Sequence, residues 1–394
     1  MRKNGVNREL RPISKGLLAP DGFRLAVATV KDGAYESGAE KPLALLSFAD
    51  RYPTACAFST SAVRGDSAFF LERNVKDGIA NAVLFNGAFS DLLQKNAETQ
   101  INALTQTIAK ACKMQSKDVL VLSTGDVRAP YRGEKISESF LSLATAAYND
   151  TPFFLGEFLG VTQVAFEFDL GDFPCKIGAC FKRLGASVFA YLTTDINVTR
   201  ACLEKAFSTA VKDTFDLVGK GQSAPRFFAG ISSSCKAGNF VVSERDGEFK
   251  KFAEALRSAC EKICRILILG EPQRGAECIL TGTRSKTVSR ALARSLSRFL
   301  SCPYEKQDFL SGVLDAVGST DVEFSLKKAS LTVSDGGNRL SLLEDGEAIA
   351  APTDRLNRVL SAPFFTLELN LSDGNYSSRT FAYAHTTKRE EPNA

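Results

Sequence analysis

Strand-length apolar runs alternate with helix-length amphipathic stripes along this chain, and that alternation confines it to an α/β architecture. Residues 23–30, 42–48, 79–86 and 118–123 are each long enough for a strand and too short for a buried helix. Between the last two, residues 100–112 set Ile101, Leu104, Ile108 and Ala111 on one helical face, so strand, helix and strand follow in order. The polar stretch 31–41 between the first two runs predicts a β-hairpin. Further on, strands are predicted over 161–170, over 176–193 as a pair broken at Gly185, and over 227–233, 240–243, 266–269, 276–281, 322–326, 330–334 and 364–371. Helices are predicted over 199–215, capped at residues 197–199, over 248–264 and 287–300, and near 354–360.

With 394 residues, 44% of them hydrophobic, the chain can bury two to three domain-sized cores or one large layered one. Its 49 basic against 45 acidic residues leave a net charge of +4, too small and too evenly spread for direct nucleic-acid binding. No window reaches the roughly 18 apolar residues of a spanning helix, and a soluble protein is expected. Ten cysteines are dilute in so long a chain, so reduced thiols are the reading. No Cys-x-x-Cys pair occurs and His385 is the single histidine, which argues against a zinc site and against a histidine-activated nucleophile. Gly219-Lys220-Gly221 lacks P-loop spacing, and neither metal nor cofactor is expected.

Two basic segments stand out. One is an arm over residues 1–18 with Arg2, Lys3, Arg8, Arg11 and Lys15 against Glu9, a composition compatible with mitochondrial targeting and equally with an ordered or solvated arm. The other is a stripe of Arg290, Arg294 and Arg298 on the 287–300 helix, which reads either as a solvated face or as a dock for an acidic or lipid surface.

The run Ala186-Ser187-Val188-Phe189-Ala190-Tyr191-Leu192-Thr193-Thr194-Asp195 is similar to the Ala-Thr-Met-Leu-Ala-Phe-Ile-Thr-Thr-Asp segment of the ornithine acetyltransferase (glutamate N-acetyltransferase) family, which cleaves itself before the threonine. Ser123-Thr124-Gly125 after a strand resembles the turn that supplies that family's oxyanion hole. Ala19-Pro20-Asp21-Gly22-Phe23-Arg24, Ile177-Gly178, Thr214-Phe215-Asp216, the run 311–318 and Leu369-Asn370-Leu371 resemble further landmarks in the same order, across nearly the whole chain.

The resemblance implies a layered α/β/β/α sandwich, divided at the scissile bond into halves 19–186 and 187–394. It implies that Ser187 is the nucleophile and, once freed, supplies its own amine as base. Thr124 and Gly125 would hold the oxyanion, and Glu271 would be the acid retained from a Gly-Glu-Gly-Ala-Thr-Lys segment. Departures gather around these positions. The segment before residue 186 is shortened, and residues 219–226 carry Lys220 and Arg226 where the family has an acidic run. The lysine after Glu271 is lost, and the closing Asn-Ala-Asp-Tyr is reduced to Asn393-Ala394. A substrate site needs several groups converging on one point. The expectation is therefore a chain that keeps Ser187, Thr124, Gly125 and Glu271 as remnants and serves as a structural or accessory subunit of a larger mitochondrial assembly, such as a ribosome, a respiratory complex or an ATP synthase. The alternative is an active, self-cleaving acetyltransferase of arginine biosynthesis.

Overall fold

The fold is that of a computed structural model, which describes residues 10–31, 40–59, 65–92, 94–123, 130–145, 160–184, 187–218, 226–269 and 274–384. The chain forms two compact units, the larger from residues 1–209 and 226–259, the smaller from 210–225 and 260–394.

The larger unit holds a nine-stranded sheet in the order β1-β6-β7-β8-β9-β3-β4-β5, with β2 on β3. Its strands are β1 (Arg11–Ile13), β2 (Phe23–Lys31), β3 (Glu40–Phe58), β4 (Ile79–Asn86), β5 (Val119–Ser123), β6 (Thr162–Leu170), β7 (Phe173–Leu184), β8 (Ser187–Thr194) and β9 (Arg226–Ser233). Three helices intervene early, α1 (Asp66–Asn74), α2 (Ala97–Cys112) and α3 (Gly133–Thr145); α4 (Arg200–Lys212) follows β8, and α5 (Gly247–Leu269) follows β9.

β3 makes this sheet two layers. Its first part pairs with β2 and β4, its last residues, Thr54 to Phe58, pair with β9, and the register breaks between Ser47 and Tyr52. A bulge of this kind bends a strand and raises its twist. Leu25, Leu46, Val83, Phe85 and Leu120 of one layer then pack against Cys180, Phe189 and Tyr191 of the other. Strand alternation sends Leu45, Leu84 and Val121 to the outer face of the first layer, against Ile101 and Leu104 of α2 and Ile136 and Phe140 of α3. Ala179, Ala190, Leu192 and Ile231, on the outer side of the second layer, are equally buried, as are Leu203 and Phe207 of α4 and Phe252 and Leu256 of α5. This is the α/β/β/α sandwich that the resemblance implies.

Within the second layer, Gly230 has no side chain where the Tyr191 ring lies; a Cβ there would stand 2.7 Å from that ring. The Tyr191 hydroxyl bonds the Ser232 hydroxyl at 2.7 Å, which meets that of Thr54 at 2.8 Å, and Thr54 donates to the Tyr52 carbonyl at 3.1 Å. A buried hydroxyl chain thus ties β8, β9 and β3 together.

The smaller unit's sheet runs β13-β12-β11-β14-β10-β15, from β10 (Arg274–Thr283), β11 (Ser330–Ser334), β12 (Arg339–Glu344), β13 (Glu347–Ala348), β14 (Phe364–Asn370) and β15 (Tyr376–Ala384). Cys278, Leu280, Phe365 and Leu367 pack on α6 (Lys286–Leu300) and α7 (Phe309–Gly318); α8 (Thr353–Ser361) adds Val359 and Leu360. Leu217 is buried in the same core, and its carbonyl accepts from the Ser297 and Thr380 hydroxyls, each at 2.6 Å.

Residues 266–269 are the end of α5, not the predicted strand: Ile263, Cys264, Leu267 and Ile268 continue the helix's buried stripe, which an isolated apolar run conceals. Over 240–243 only Val241 pairs, in a single bridge to Val198. Residues 322–326 form no strand and lay Val322, Phe324 and Leu326 half-buried on the smaller core. The halves 19–186 and 187–394 share one sheet, because Ser187 opens a strand in its interior.

The Arg290 stripe is engaged within the smaller unit. The Arg290 Nε donates to Asp213 at 2.7 Å, Lys286 Nζ lies 3.4 Å from the same buried carboxylate, and Arg294 pairs with Asp216. Arg290→Glu is expected to set a carboxylate against Asp213 and lower stability by about 2–4 kcal/mol. Urea denaturation measures this, and a parent-like midpoint would show that the pair does not form.

All ten cysteines are free, six of them buried. Burial pushes the Cys175, Cys180 and Cys260 thiols up to about 12. Iodoacetamide at pH 8 is therefore expected to spare these three in the folded protein and to alkylate all ten after unfolding. Peptide mass mapping reads the difference.

Candidate functional site

Ser187 is the first residue of β8, and its backbone stands opposite Leu184 of β7 on one side and Arg226 of β9 on the other. Only residues 185 and 186 connect the paired positions 184 and 187. At the other end of β8 the Thr-Thr-Asp of the motif is anchored by its own bonds. Thr193 Oγ1 donates to the Leu17 carbonyl at 2.5 Å, Thr194 Oγ1 donates to the Lys176 carbonyl at 2.8 Å, and the Asp195 carboxylate accepts the Lys176 N–H at 2.7 Å. Burial pushes the Asp195 carboxyl up from its ordinary range, and that N–H opposes the shift.

The turn Thr124-Gly125 lies outside the described residues, but the strand that delivers it is described. Asn86 ends β4 in register with Ser123, the last residue of the parallel β5. The Asn86 amide is fully buried and fully used: Nδ2 donates to the Phe89 carbonyl at 2.9 Å and to Ser123 Oγ at 3.2 Å, and Oδ1 accepts from the N–H groups of Ala88 at 2.9 Å and Phe89 at 3.2 Å. Tyr131 is buried nearby, and that burial pushes its phenol up. Asn86 therefore fixes where β5 ends. Its sequence signal is slight, a polar residue closing an apolar run before Gly87.

The end of β4, paired with β5, and the first residues of β8 meet at one aromatic cluster. Phe85, the residue before Asn86, lies edge-on to Phe189, two residues after Ser187, with ring centres 5.7 Å apart. Phe85 also meets Tyr191 at 5.6 Å, Phe189 stacks on Phe228 at 5.9 Å, and Phe228 meets Phe58 at 5.3 Å. Phe85 and Phe189 are buried. Phe189 stands where the family run quoted above has leucine. Such a cluster offers no hydrogen-bond donor to a carboxylate, whose desolvation it would leave uncompensated.

Glu271 lies outside the described residues, between the end of α5 and the start of β10. Of the four residues expected to act, the structure thus places the backbone of Ser187 and the strand leading to Thr124 and Gly125 on one cluster, and does not place Glu271.

The motif positions that are described have scaffold tasks. A Cβ on Gly178 would stand 2.3 Å from the Gly16 carbonyl oxygen, so this glycine admits the 3-10 turn Gly16–Leu18 onto β7. Gly22 takes φ +99° and receives the Tyr52 hydroxyl against its carbonyl at 3.1 Å.

The profile of the ArgJ family matches residues 26–387. The chain is 24% identical, over an alignment of 401 residues, to the glutamate N-acetyltransferase of Methanothermobacter thermautotrophicus, covering 95% of each chain. It is 22% identical over 364 residues to the arginine biosynthesis bifunctional protein ArgJ of Caldanaerobacter subterraneus subsp. tengcongensis, covering 87% of this chain and 89% of that one. A crystal structure of arginine biosynthesis bifunctional protein ArgJ from Bacillus halodurans is similar with a TM-score of 0.42 and 19% identity over 51% of this chain and 94% of that one.

Proposed function

Because the chain belongs to the ArgJ family, the ornithine acetyltransferases, we propose that it is a member whose acetyl transfer has been given up and which serves as a structural or accessory subunit of a larger mitochondrial assembly. The observation that carries this reading is the aromatic cluster of Phe85, Phe189, Phe228 and Phe58 beside the first residue of β8. A zwitterionic amino acid needs charge-assisted hydrogen bonds at both ends, which rings beside the start of β8 would not supply. The short link before Ser187 supports it too. Self-cleavage needs the carbonyl of residue 186 held against an oxyanion site while the Ser187 hydroxyl attacks, and two residues between paired positions leave little chain to bring it there.

The basic arm supports the mitochondrial placement. Contacts to an acidic or lipid surface through Arg290 and Arg294 would compete with Asp213 and Asp216, which leaves Arg298 as the less committed cation of the stripe.

Denaturing mass measurement of the purified protein is the direct test. A single 42.6 kDa chain is expected, together with no saturable heat on titration with N-acetylornithine and co-migration with a much larger species in gently lysed native material. A fragment beginning at Ser187 would overturn the reading and return the chain to the self-cleaving acetyltransferases, in which case Ser187→Ala must block the cut.

A further inference from the structure

Of the six large apolar side chains that stand exposed among the described residues, three belong to one place in the larger unit: Phe173, Phe240 and Val242. Burial alternates along the segment after β9 as it does in a strand, inward at Asn239 and Val241 and outward at Phe240 and Val242. A Cβ on Gly238 would stand 2.6 Å from the Phe173 ring, which sets that ring beside the outward row.

The segment is held in place. The Asn239 amide clamps Asn197, its Oδ1 accepting the Asn197 N–H at 3.1 Å and its Nδ2 donating to the Asn197 carbonyl at 3.2 Å. Val241, in a parallel bridge to Val198, donates its N–H to the Asn197 carbonyl at 2.9 Å, and its own carbonyl accepts from Thr199 at 3.1 Å. Both main-chain groups of Val241 therefore face residues 197–199, and those of Phe240 and Val242 point the other way, where they have no partner among the described residues. A bare strand edge with apolar side chains is a template for another strand.

The flanks select which strand. Lys236 precedes the row and Glu244 follows it, with Lys205 at 4.0 Å from Glu244. Such a rim has no excess of either sign to offer a charged surface. A strand of the same sequence running antiparallel would bring each flank to its opposite.

We propose that this edge pairs with the same edge of a second copy of the chain, about a two-fold axis through Val241. Phe240 then stands opposite the partner's Val242, each such pair exchanges both N–H···O bonds, and the aromatic and β-branched side chains pack across the strands. Lys236 lies beside the partner's Glu244, and the contact closes on itself. None of Ser187, Thr124, Gly125 and Glu271 takes part, so the pairing does not depend on whether acetyl transfer survives.

Sedimentation velocity of the full chain from about 1 to 100 μM tests this. A reversible monomer–dimer equilibrium is expected, and amide exchange at Phe240 and Val242, read by fragmentation mass spectrometry, should slow as concentration rises. Phe240→Ser and Val242→Pro, which removes the N–H, should each weaken the dimer about tenfold or more. Lys236→Glu should weaken it less, and adding Glu244→Lys should recover it. Melting temperatures confirm folding, and should one variant fail to fold the other still decides. The proposal is overturned by a chain that stays monomeric throughout, even one that holds other proteins through Phe240. It is equally overturned by a dimer that the Phe240 and Val242 substitutions leave intact, by exchange at those amides that ignores concentration, or by a charge swap that recovers nothing.

Discussion

Alanine at position 178 is expected to cost the fold about 3 kcal/mol or more, at the upper end of what an added methyl does to a packed interior. The new Cβ would sit 2.3 Å from the Gly16 carbonyl oxygen, 3.0 Å from that of Leu17 and 2.8 Å from Thr193 Oγ1. Two of the three are main-chain atoms that cannot rotate aside. Relief would have to lift the 3-10 turn Gly16–Leu18 from β7, which breaks the bond from Thr193 to Leu17 and uncovers Leu17, a fully buried residue. Urea denaturation of Gly178→Ala measures the loss. An unchanged midpoint would mean that the turn does not rest on β7.

Phe189→Ala is expected to cost about 3–5 kcal/mol, the range for emptying a buried phenylalanine site. The ring touches Phe85 and Phe228 and sits in the layer between the two halves of the sheet, and neither neighbour can fill the gap without leaving its own strand position. Phe189→Leu, which restores the residue of the family run, should cost less because most of the apolar volume stays. A parent-like stability for the alanine variant would show that the cluster is loosely packed.

The layered fold was legible because its signals are local. The strand-length apolar runs that became β2, β4, β5 and β6 and the helical stripes of α2, α4 and α6 each lie within one short window. β3 was legible only to residue 48, since Asp50, Arg51 and Pro53 look like a turn and are instead carried through a bulged strand. The strand that Ser187 opens was legible in the apolar run after Gly185. The aromatic cluster was not, because its members come from β3, β4, β8 and β9 and only tertiary packing joins them. The Arg290 stripe read as a solvated face or as a dock for an acidic or lipid surface for the same reason. Its carboxylates, Asp213 and Asp216, lie 77 and 78 residues upstream, beyond the reach of any helical wheel.

β3 also bears on how the chain is made. The hydroxyls of Thr54 and Ser232 that join β3 to β9 are 178 residues apart in sequence, so the strand that serves both layers leaves the ribosome with only one of its neighbourhoods available. At usual synthesis speeds the wait for β9 is roughly 10–35 s. Throughout it the far end of β3, from Thr54 through Ala55 to Phe58, has no partner strand and presents an apolar edge. Nascent chains of this protein should therefore be dependent on a holding chaperone over that interval, and protection of the 54–58 amides should arrive only after β9 has emerged.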